Sequence, residues 1–286
     1  MKLYGVKGEE SRRFFGGGEV TVAVYGLGKM GLPLAAVFAD SGASVVGVDI
    51  NGGVVDSVND GINHVREEPG LDELVSRNVG VGRLRATSDF VGAAKESDIQ
   101  VILVPTLIRG GEADLSPVYS VAECISGGLE GGDIVVTECT MPPGSTESLI
   151  PILEKSGLEA GVDFGLGHCP ERTMSGTAIR DIRGQYPKVI GCVDGGTTGA
   201  LEGVYSAVNS KGVVSVSGIR AAECVKVFEG VYRDVNIALA NELTAVCERL
   251  GVDAVEVFRV ANTQPYCSLH SPGGLGVIVF LFTRIL

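Results

Sequence analysis

Between Ile219 and Gly251 the chain reads IRAAECVKVFEGVYRDVNIALANELTAVCERLG, without a proline and with Gly230 as its internal glycine. Apolar residues recur at every third or fourth position: Ile219, Ala222, Val225, Phe228, Val231, Val235, Ala238, Leu239, Leu243, Val246 and Leu250. That period marks an amphipathic α-helix. Gly251 stands at the C′ stop, with Arg249 in the last turn facing the negative end of the helix dipole. At about 1.5 Å per residue the helix would reach on the order of 45 Å, more than one compact lobe needs. Such an element has to serve as a spine between two lobes or two subunits, and its apolar stripe has to be covered. This predicts a homodimer through residues 219–250. Lys226, Gly230, Arg233 and Ile237 form a second line along it. A lysine, a side-chain gap and an arginine on one face suit an anionic ligand. The alternative is a solvated charged face, the commoner use of an isolated Lys/Arg pair.

The remaining length is enough for one large or two modest cores: 286 residues, 45% hydrophobic and 20% charged. A formal charge of −12 argues against a nucleic-acid or anionic-membrane partner, so any anionic ligand must be held by local positive groups. The cysteines at 124, 139, 169, 192, 224, 247 and 267 make no C-x-x-C pair, and their odd number fits reduced thiols in the cytoplasm. Residues 1–18, MKLYGVKGEESRRFFGGG, read as a polar leader lacking the apolar region of a signal peptide. No apolar run approaches the ~20 residues of a membrane span. His64 and His168 read as packing or surface residues. Three histidines without a cysteine or carboxylate cluster make no metal site.

EVTVAVYGLGKMGLPLAAVFADSGASVVGVDI, at 19–50, contains a β-branched strand over Val20–Tyr25, a glycine turn, a helix from about Met30 to Asp40 and a second strand over Ser44–Val48. Gly26, Gly28 and Gly31 spell G-x-G-x-x-G. The first glycine makes the tight turn, the second lets a pyrophosphate approach the backbone, and the third lets the helix pack on the strand. The helix N-terminus then offers N–H groups and a positive dipole end to the phosphates. Asp49 closes the second strand, where a carboxylate accepts hydrogen bonds from an adenosine ribose and repels a 2′-phosphate. NAD is therefore expected over NADP. The glycine motif is weak alone, but here the flanking strands, helix and acid all fall where the binding needs them.

Further strands are expected over 98–106, 133–140, 164–168, 188–192 and 212–216, with a mostly helical polar stretch over 52–98 and a helix over 117–130. Strands alternating with helices imply a parallel, doubly wound α/β sheet that binds ligands at the strands' carboxyl ends. Thr106, Thr140 and the segment after His168 lie at such ends.

YGLGKMGLPLA at 25–35, VPT at 104–106, TECTMPPGST at 137–146, CPERTMSGTAIRDI at 169–182, KVFEGVYRDVNIALANEL at 226–243, ANT at 261–263 and HSPGGLGV at 270–277 together resemble the UDP-glucose/GDP-mannose dehydrogenase family. The resemblance covers about Val20 to Val277. It implies a Rossmann-type NAD domain over 19–216 and a mainly helical dimerisation domain over 217–277. It also implies oxidation of a nucleotide-sugar alcohol to a carboxylate by two NAD in succession. Pro170-Glu171-Arg172 points to the branch acting on UDP-N-acetyl-D-mannosamine, with UDP-glucose and GDP-mannose as alternatives. A β-hydroxyacid dehydrogenase, which also pairs a GLGxMG turn with a lysine on a long helix, is the rival class.

Carried over residue by residue, the resemblance puts Gly26, Leu27, Gly28, Met30, Gly31, Asp49, Thr106 and Thr140 at the cofactor. Glu171 and Thr140 would orient the water that hydrolyses an acyl intermediate, and Lys226 would be the acid/base at the reacting oxygen. Arg172, Thr173, Gly230, Arg233 and His270 would meet the substrate. Three positions depart from the family pattern. Gly230 replaces an asparagine, and Gln264 and Tyr266 stand where relatives have histidine and arginine. After PGGLGV the family continues Gly-Gly-His-Cys-Ile-Pro, whose cysteine is the nucleophile; here an apolar tail, 278–286, follows instead. Neither that cysteine nor the C-terminal nucleotide-binding domain is then expected, and the 286-residue chain is expected to bind NAD without making uronic acid.

Overall fold

The structure, a computed structural model, describes residues 1–274, so the tail at 278–286 lies outside the described residues. Helix α1 (Gly8–Gly16) leads into strand β1 (Thr21–Tyr25), helix α2 (Gly31–Asp40) and strand β2 (Ser44–Val48). Helices α3 (Gly52–Asn59) and α4 (Leu71–Gly80), strand β3 (Leu84–Thr87), helix α5 (Phe90–Glu96) and strand β4 (Ile99–Ile102) follow. A hairpin of β5 (Leu107–Arg109) and β6 (Glu112–Asp114) then leads to α6 (Ser116–Ser126), β7 (Ile134–Thr137) and the short α7 (Ile150–Leu153). The last part holds β8 (Gly165–His168), α8 (Ala178–Ile182), β9 (Lys188–Cys192), α9 (Gly195–Val208), β10 (Val213–Ser215), α10 (Ile219–Leu250) and α11 (Ala254–Ala261).

Eight strands make one sheet in the order β10-β9-β8-β7-β4-β1-β2-β3. The six from β3 to β8 are parallel, as the alternation of strands and helices predicts. The other two correct that expectation: β9 runs antiparallel to β8, and β10 runs parallel to β9. The cause lies in the connection. A parallel neighbour requires a crossover of a dozen or more residues back to the amino edge, usually a helix. Between β8 and β9 the only helix is the five-residue α8, so β9 begins near the carboxyl edge where β8 ends.

Apolar side chains fill both faces of the sheet. On one, Phe15, Leu32, Phe38, Leu71 and Leu201 form a core; on the other, Tyr25, Ile102, Ile125 and Phe164 do. Every residue of α2 from Gly31 to Ala39 is buried, the pattern of a helix enclosed on all sides. Residues 1–18 are not a leader but part of this layer. Leu3 and Phe15 are wholly buried, and Phe15 meets Phe38 edge to face with ring centroids 5.6 Å apart. Helix α1 lies so close to α9 that a Cβ on Gly203 would come within 2.1 Å of the Gly8 carbonyl oxygen. The polar outer face of α1 hides this inner one in the sequence. Strand β3 and the β5–β6 hairpin went unread within 52–98 and after Thr106 because both are short and carry charged residues such as Arg85, Arg109 and Glu112.

Helix α10 runs the full expected length and ends at Gly251 in the left-handed conformation, φ +67°. It is anchored against β8 and β9. Its expected apolar stripe divides: Ile219 and Ala222 are buried, whereas Phe228, Val235, Leu239, Val246 and Leu250 are exposed in the single chain. No helix among the described residues is long and apolar enough to cross a membrane.

Because α1 closes the core around Phe15, Phe15→Ala should destabilise the chain by about 3–5 kcal/mol, the usual cost of deleting a buried phenylalanine ring. Urea unfolding measures it, and a loss below about 1 kcal/mol would mean that α1 is dispensable.

Candidate active site

The turn after β1 is built by contacts that only glycine permits. Gly26 has φ +98°, and a Cβ there would lie 2.5 Å from the Leu103 carbonyl oxygen. A Cβ on Gly31 would lie 1.8 Å from the Gly26 carbonyl oxygen, so α2 starts in direct contact with the turn. Around Gly28 the space is open. At the end of β2, Asp49 accepts the Leu27 N–H at Oδ2 (2.9 Å) and the Asn51 N–H at Oδ1 (2.9 Å), so the acid is tied to the turn it accompanies.

A cleft of about 910 Å³ opens along the carboxyl edge beside this turn. Gly26, Gly28, Met30, Gly31, Asp49, Thr106, Thr140 and Glu171 all line it, which brings together most of the residues expected at the cofactor. Thr106 donates its hydroxyl to the Thr140 carbonyl at 2.8 Å, joining two strand ends. Leu27, expected with them, does not line the cleft: its side chain is buried against Gly47 and its N–H is held by Asp49. The volume is at the upper end for a small-molecule pocket, and the glycine cradle leaves room for a diphosphate at the helix start. The residues present therefore fit a dinucleotide.

Behind the cleft lies a buried polar cluster. Glu138, directly after β7, is wholly enclosed and carries a Lys188 ion pair at 2.6 Å, while the Tyr205 hydroxyl donates to its other oxygen. Burial pushes the Glu138 carboxyl up, and the Lys188 charge opposes the shift. The Glu171 N–H donates to the Glu138 carbonyl at 3.0 Å, and the Glu171 carboxylate accepts the Thr173 N–H. The Thr173 hydroxyl reaches the Met30 sulfur at 3.2 Å, linking the 170s segment to the cofactor turn. His168 is buried with Nδ1 2.8 Å from the Thr137 hydroxyl, which also meets the Thr146 hydroxyl at 2.8 Å. It is therefore a core residue, not a surface one.

Helix α10 enters this arrangement through Glu223, which accepts the Gly144 N–H (2.6 Å) and the Thr146 N–H (2.8 Å). One turn on, the Lys226 amine is half-buried, and burial lowers it from its ordinary value while the Glu171 and Glu229 charges work against that. Arg172 is occupied within the protein: Nε donates to Glu229 at 2.8 Å, and the guanidinium lies 4.9 Å above the Tyr186 ring. The expected line of Lys226, Gly230, Arg233 and Ile237 is split, with Gly230 buried and Arg233 exposed. His270 packs edge to face on Tyr232, with ring centroids 5.7 Å apart. Of the thiols near the site, Cys139 lines the cleft but burial pushes it up to about 12, and Cys169 is pushed well above its ordinary value. Neither resembles an activated thiolate.

The family model for the NAD binding domain of the UDP-glucose/GDP-mannose dehydrogenase family matches residues 20–209, and that for its central domain matches residues 220–277. The chain belongs to this family. It is 37% identical over 257 residues to a UDP-N-acetyl-D-mannosamine dehydrogenase of Pyrococcus horikoshii, covering 89% of this chain and 60% of that protein. It is also 37% identical to an NDP-N-acetyl-D-galactosaminuronic acid dehydrogenase of Ralstonia nicotianae, over 90% of this chain and 61% of the relative. Among solved structures, a UDP-D-ManNAc dehydrogenase from Pyrococcus horikoshii superposes with a TM-score of 0.86 at 35% identity, covering 91% of this chain and 63% of that one. The chain thus spans about 60% of the length of the curated relatives it matches.

Within this family member, Glu138, Lys188, Tyr205 and Glu223 went unread as site residues. Lys188 was obscured because an all-parallel sheet would have put the start of β9 at the opposite edge. Glu138 had a usable signal, a carboxylate directly after a buried strand in TECT.

Burial, with the Lys188 charge adding to it, lowers His168 to about 3. The unfolded chain therefore takes up a proton that the folded chain refuses, and stability present above about pH 6.5 is lost as pH falls towards 3. Its contribution to the slope approaches about 1.4 kcal/mol per pH unit. Unfolding titrations between pH 4 and 6 should show His168→Asn flattening the dependence by about one proton, whereas an unchanged slope would mean that His168 is protonated in the fold.

Proposed function

We propose that this chain is the cofactor-binding and central part of an NAD-dependent nucleotide-sugar 6-dehydrogenase that oxidises UDP-N-acetyl-D-mannosamine to its uronic acid. The observation that carries the reading is the arrangement around the cleft: a glycine-cradled dinucleotide site with Asp49 at one side and Glu171 and Thr140 at the other, with the Lys226 amine close enough to feel the Glu171 charge. Bound there, NAD would supply the hydride acceptor. Gly26, Gly28, Gly31 and the start of α2 would hold its diphosphate, and Asp49 would take the ribose hydroxyls.

Lys226 serves the reacting oxygen. An amine brought down by burial gives up its proton more readily than a solvated one and still stabilises a developing negative charge. Glu171 and Thr140 orient the water needed at the acid stage. Thr173 from the 170s segment, Gly230 and Arg233 from the spine, and His270 from the stretch after α11 contribute to the sugar nucleotide's site, and Arg172 supports it by fixing Glu229. The substrate rests on Pro170-Glu171-Arg172 and on the activity for which the Pyrococcus horikoshii relative is named. The exposed line of Phe228, Val235, Leu239 and Val246 supports a homodimer through α10, since a stripe this apolar gains by being covered. Seven free cysteines support a cytoplasmic setting.

Calorimetry should find that the chain binds NAD and strongly prefers it to NADP, and that Asp49→Ala weakens NAD about tenfold. Equal affinity for the two cofactors in the parent would sink the cofactor assignment. Residues 1–277 joined to the remaining C-terminal part of the Pyrococcus relative should yield two NADH per UDP-N-acetyl-D-mannosamine, with Lys226→Ala abolishing turnover. Activity on small β-hydroxy acids instead would redirect the substrate reading. In sedimentation the chain should run as a dimer that Val235→Glu dissociates; a monomer at every concentration counts against the spine interface.

A further inference from the structure

The segment between α3 and α4 touches the cofactor turn and the 170s segment at once. His64 Nε2 lies 2.8 Å from the Leu27 carbonyl oxygen, and a carbonyl only accepts, so Nε2 carries the proton. His64 Nδ1 is buried with no hydrogen-bond partner among the described residues, so this ring makes its bond on one side only. The amide of Leu27 is held too, by Asp49 at 2.9 Å. Both ends of Leu27 are therefore pinned.

The consequence follows from peptide planarity. In a trans peptide the carbonyl of one residue and the N–H of the next point in opposite directions. No peptide among the described residues is cis, so drawing the Leu27 carbonyl towards His64 turns the Gly28 N–H to the other side. Gly28 lines the cleft and has no atom within 4 Å of where a Cβ would lie. A diphosphate seated on the turn would meet that N–H.

Four residues on, Glu68 is buried and accepts the Gly176 N–H at 3.0 Å and the Ile179 N–H at 3.1 Å. Between the two contacts the backbone passes through Glu67 at φ +69°, a left-handed conformation, and Asn63 closes a local turn on Val65 through both its amide groups at 2.8 Å. The segment is thus fixed internally and grips the dinucleotide turn with one arm and the 176–179 backbone with the other.

We propose that His64 is a positioning residue for the dinucleotide: its Nε2–H bond to the Leu27 carbonyl aims the Gly28 N–H at the diphosphate, and Glu68 holds the same segment in register with the 170s segment. The proposal rests on the NAD reading above. His64→Leu removes the donor at similar bulk, whereas His64→Gln keeps an N–H at comparable reach. In the unliganded chain, 15N spectra should show His64 with its proton on Nε2. His64→Leu should weaken NADH and ADP-ribose binding about tenfold or more, the scale of a hydrogen bond to a charged group, while adenosine, which ends before the phosphates, binds within about twofold of the parent. His64→Gln should recover most of the loss.

Unchanged NADH binding by His64→Leu, in a chain whose melting is also unchanged, overturns the proposal. So does an equal loss of adenosine and NADH, since that is a merely structural effect. A parent chain that binds no NADH removes the NAD reading and this proposal together, whereas parent binding with an indifferent His64→Leu variant removes this proposal alone.

Discussion

Helix α2 begins in contact with the carbonyl of the turn that precedes it, so close that a Cβ on Gly31 would lie 1.8 Å from the Gly26 carbonyl oxygen. That approach sets the depth of everything on the carboxyl edge. It brings the helix start against the site where a diphosphate can lie, and it leaves α2 enclosed on all sides, so its sequence must be apolar throughout. The same closeness makes the turn rigid enough for single hydrogen bonds to steer it. Asp49 holds one side of Leu27 and His64 the other, and the peptide between has no freedom left to choose where the Gly28 N–H points. Cofactor recognition is in this sense a packing result: side-chain absence at two positions lets backbone groups be aimed.

The other side of the cleft depends on the reversal of β9. Because the 170s segment stays on the carboxyl edge, β9 starts there, and Lys188 arrives beside Glu138. A carboxylate with no exposure is tolerated only when paired and hydrogen-bonded, and Glu138 has both a lysine and a tyrosine hydroxyl. Removing Lys188 alone would leave an uncompensated buried charge, a change that typically costs about 3–5 kcal/mol, more than replacing the pair by apolar residues of similar volume. The arrangement fixes the Glu138 backbone, whose carbonyl in turn holds the Glu171 N–H. Glu171 thus takes its place from a buried network of Glu138, Lys188 and Tyr205.

How much of this was legible depends on whether the cause is local. The βαβ unit was, because the Gly26, Gly28 and Gly31 spacing, the alternation of β-branched residues and Asp49 all act within thirty-odd residues of chain. The length of α10 was legible for the same reason, down to Gly251. The direction of β9 was not, since it depends on where a connecting segment lies in space and leaves no mark on the strand's own residues. His64 and Glu68 form no pattern with their neighbours; their partners are backbone groups far along the chain, and a backbone group carries no sequence signature. The first eighteen residues misled because a surface helix shows mostly its polar face, and Leu3 and Phe15 are too few to set a period.

The spine shows what periodicity can and cannot decide. Its apolar spacing establishes the helix but not which face the chain itself buries. Beside buried apolar contacts at Ile219, Ala222 and Val227, α10 has polar attachments: Glu223 to the Gly144 and Thr146 amides, and Glu229 to Arg172. Lys226 stands three residues from each, so its height over the carboxyl edge is set from both sides. Sliding the helix by one turn would break both attachments and move the amine by about 5.4 Å. An apolar contact tolerates such a slip, whereas a carboxylate seated on two amides does not, because the lost bonds would leave a buried charge. Register at the chemical end of the spine is thus held by charge within one chain, and the apolar spacing further along it, from Val235 to Leu250, plays no part in setting it.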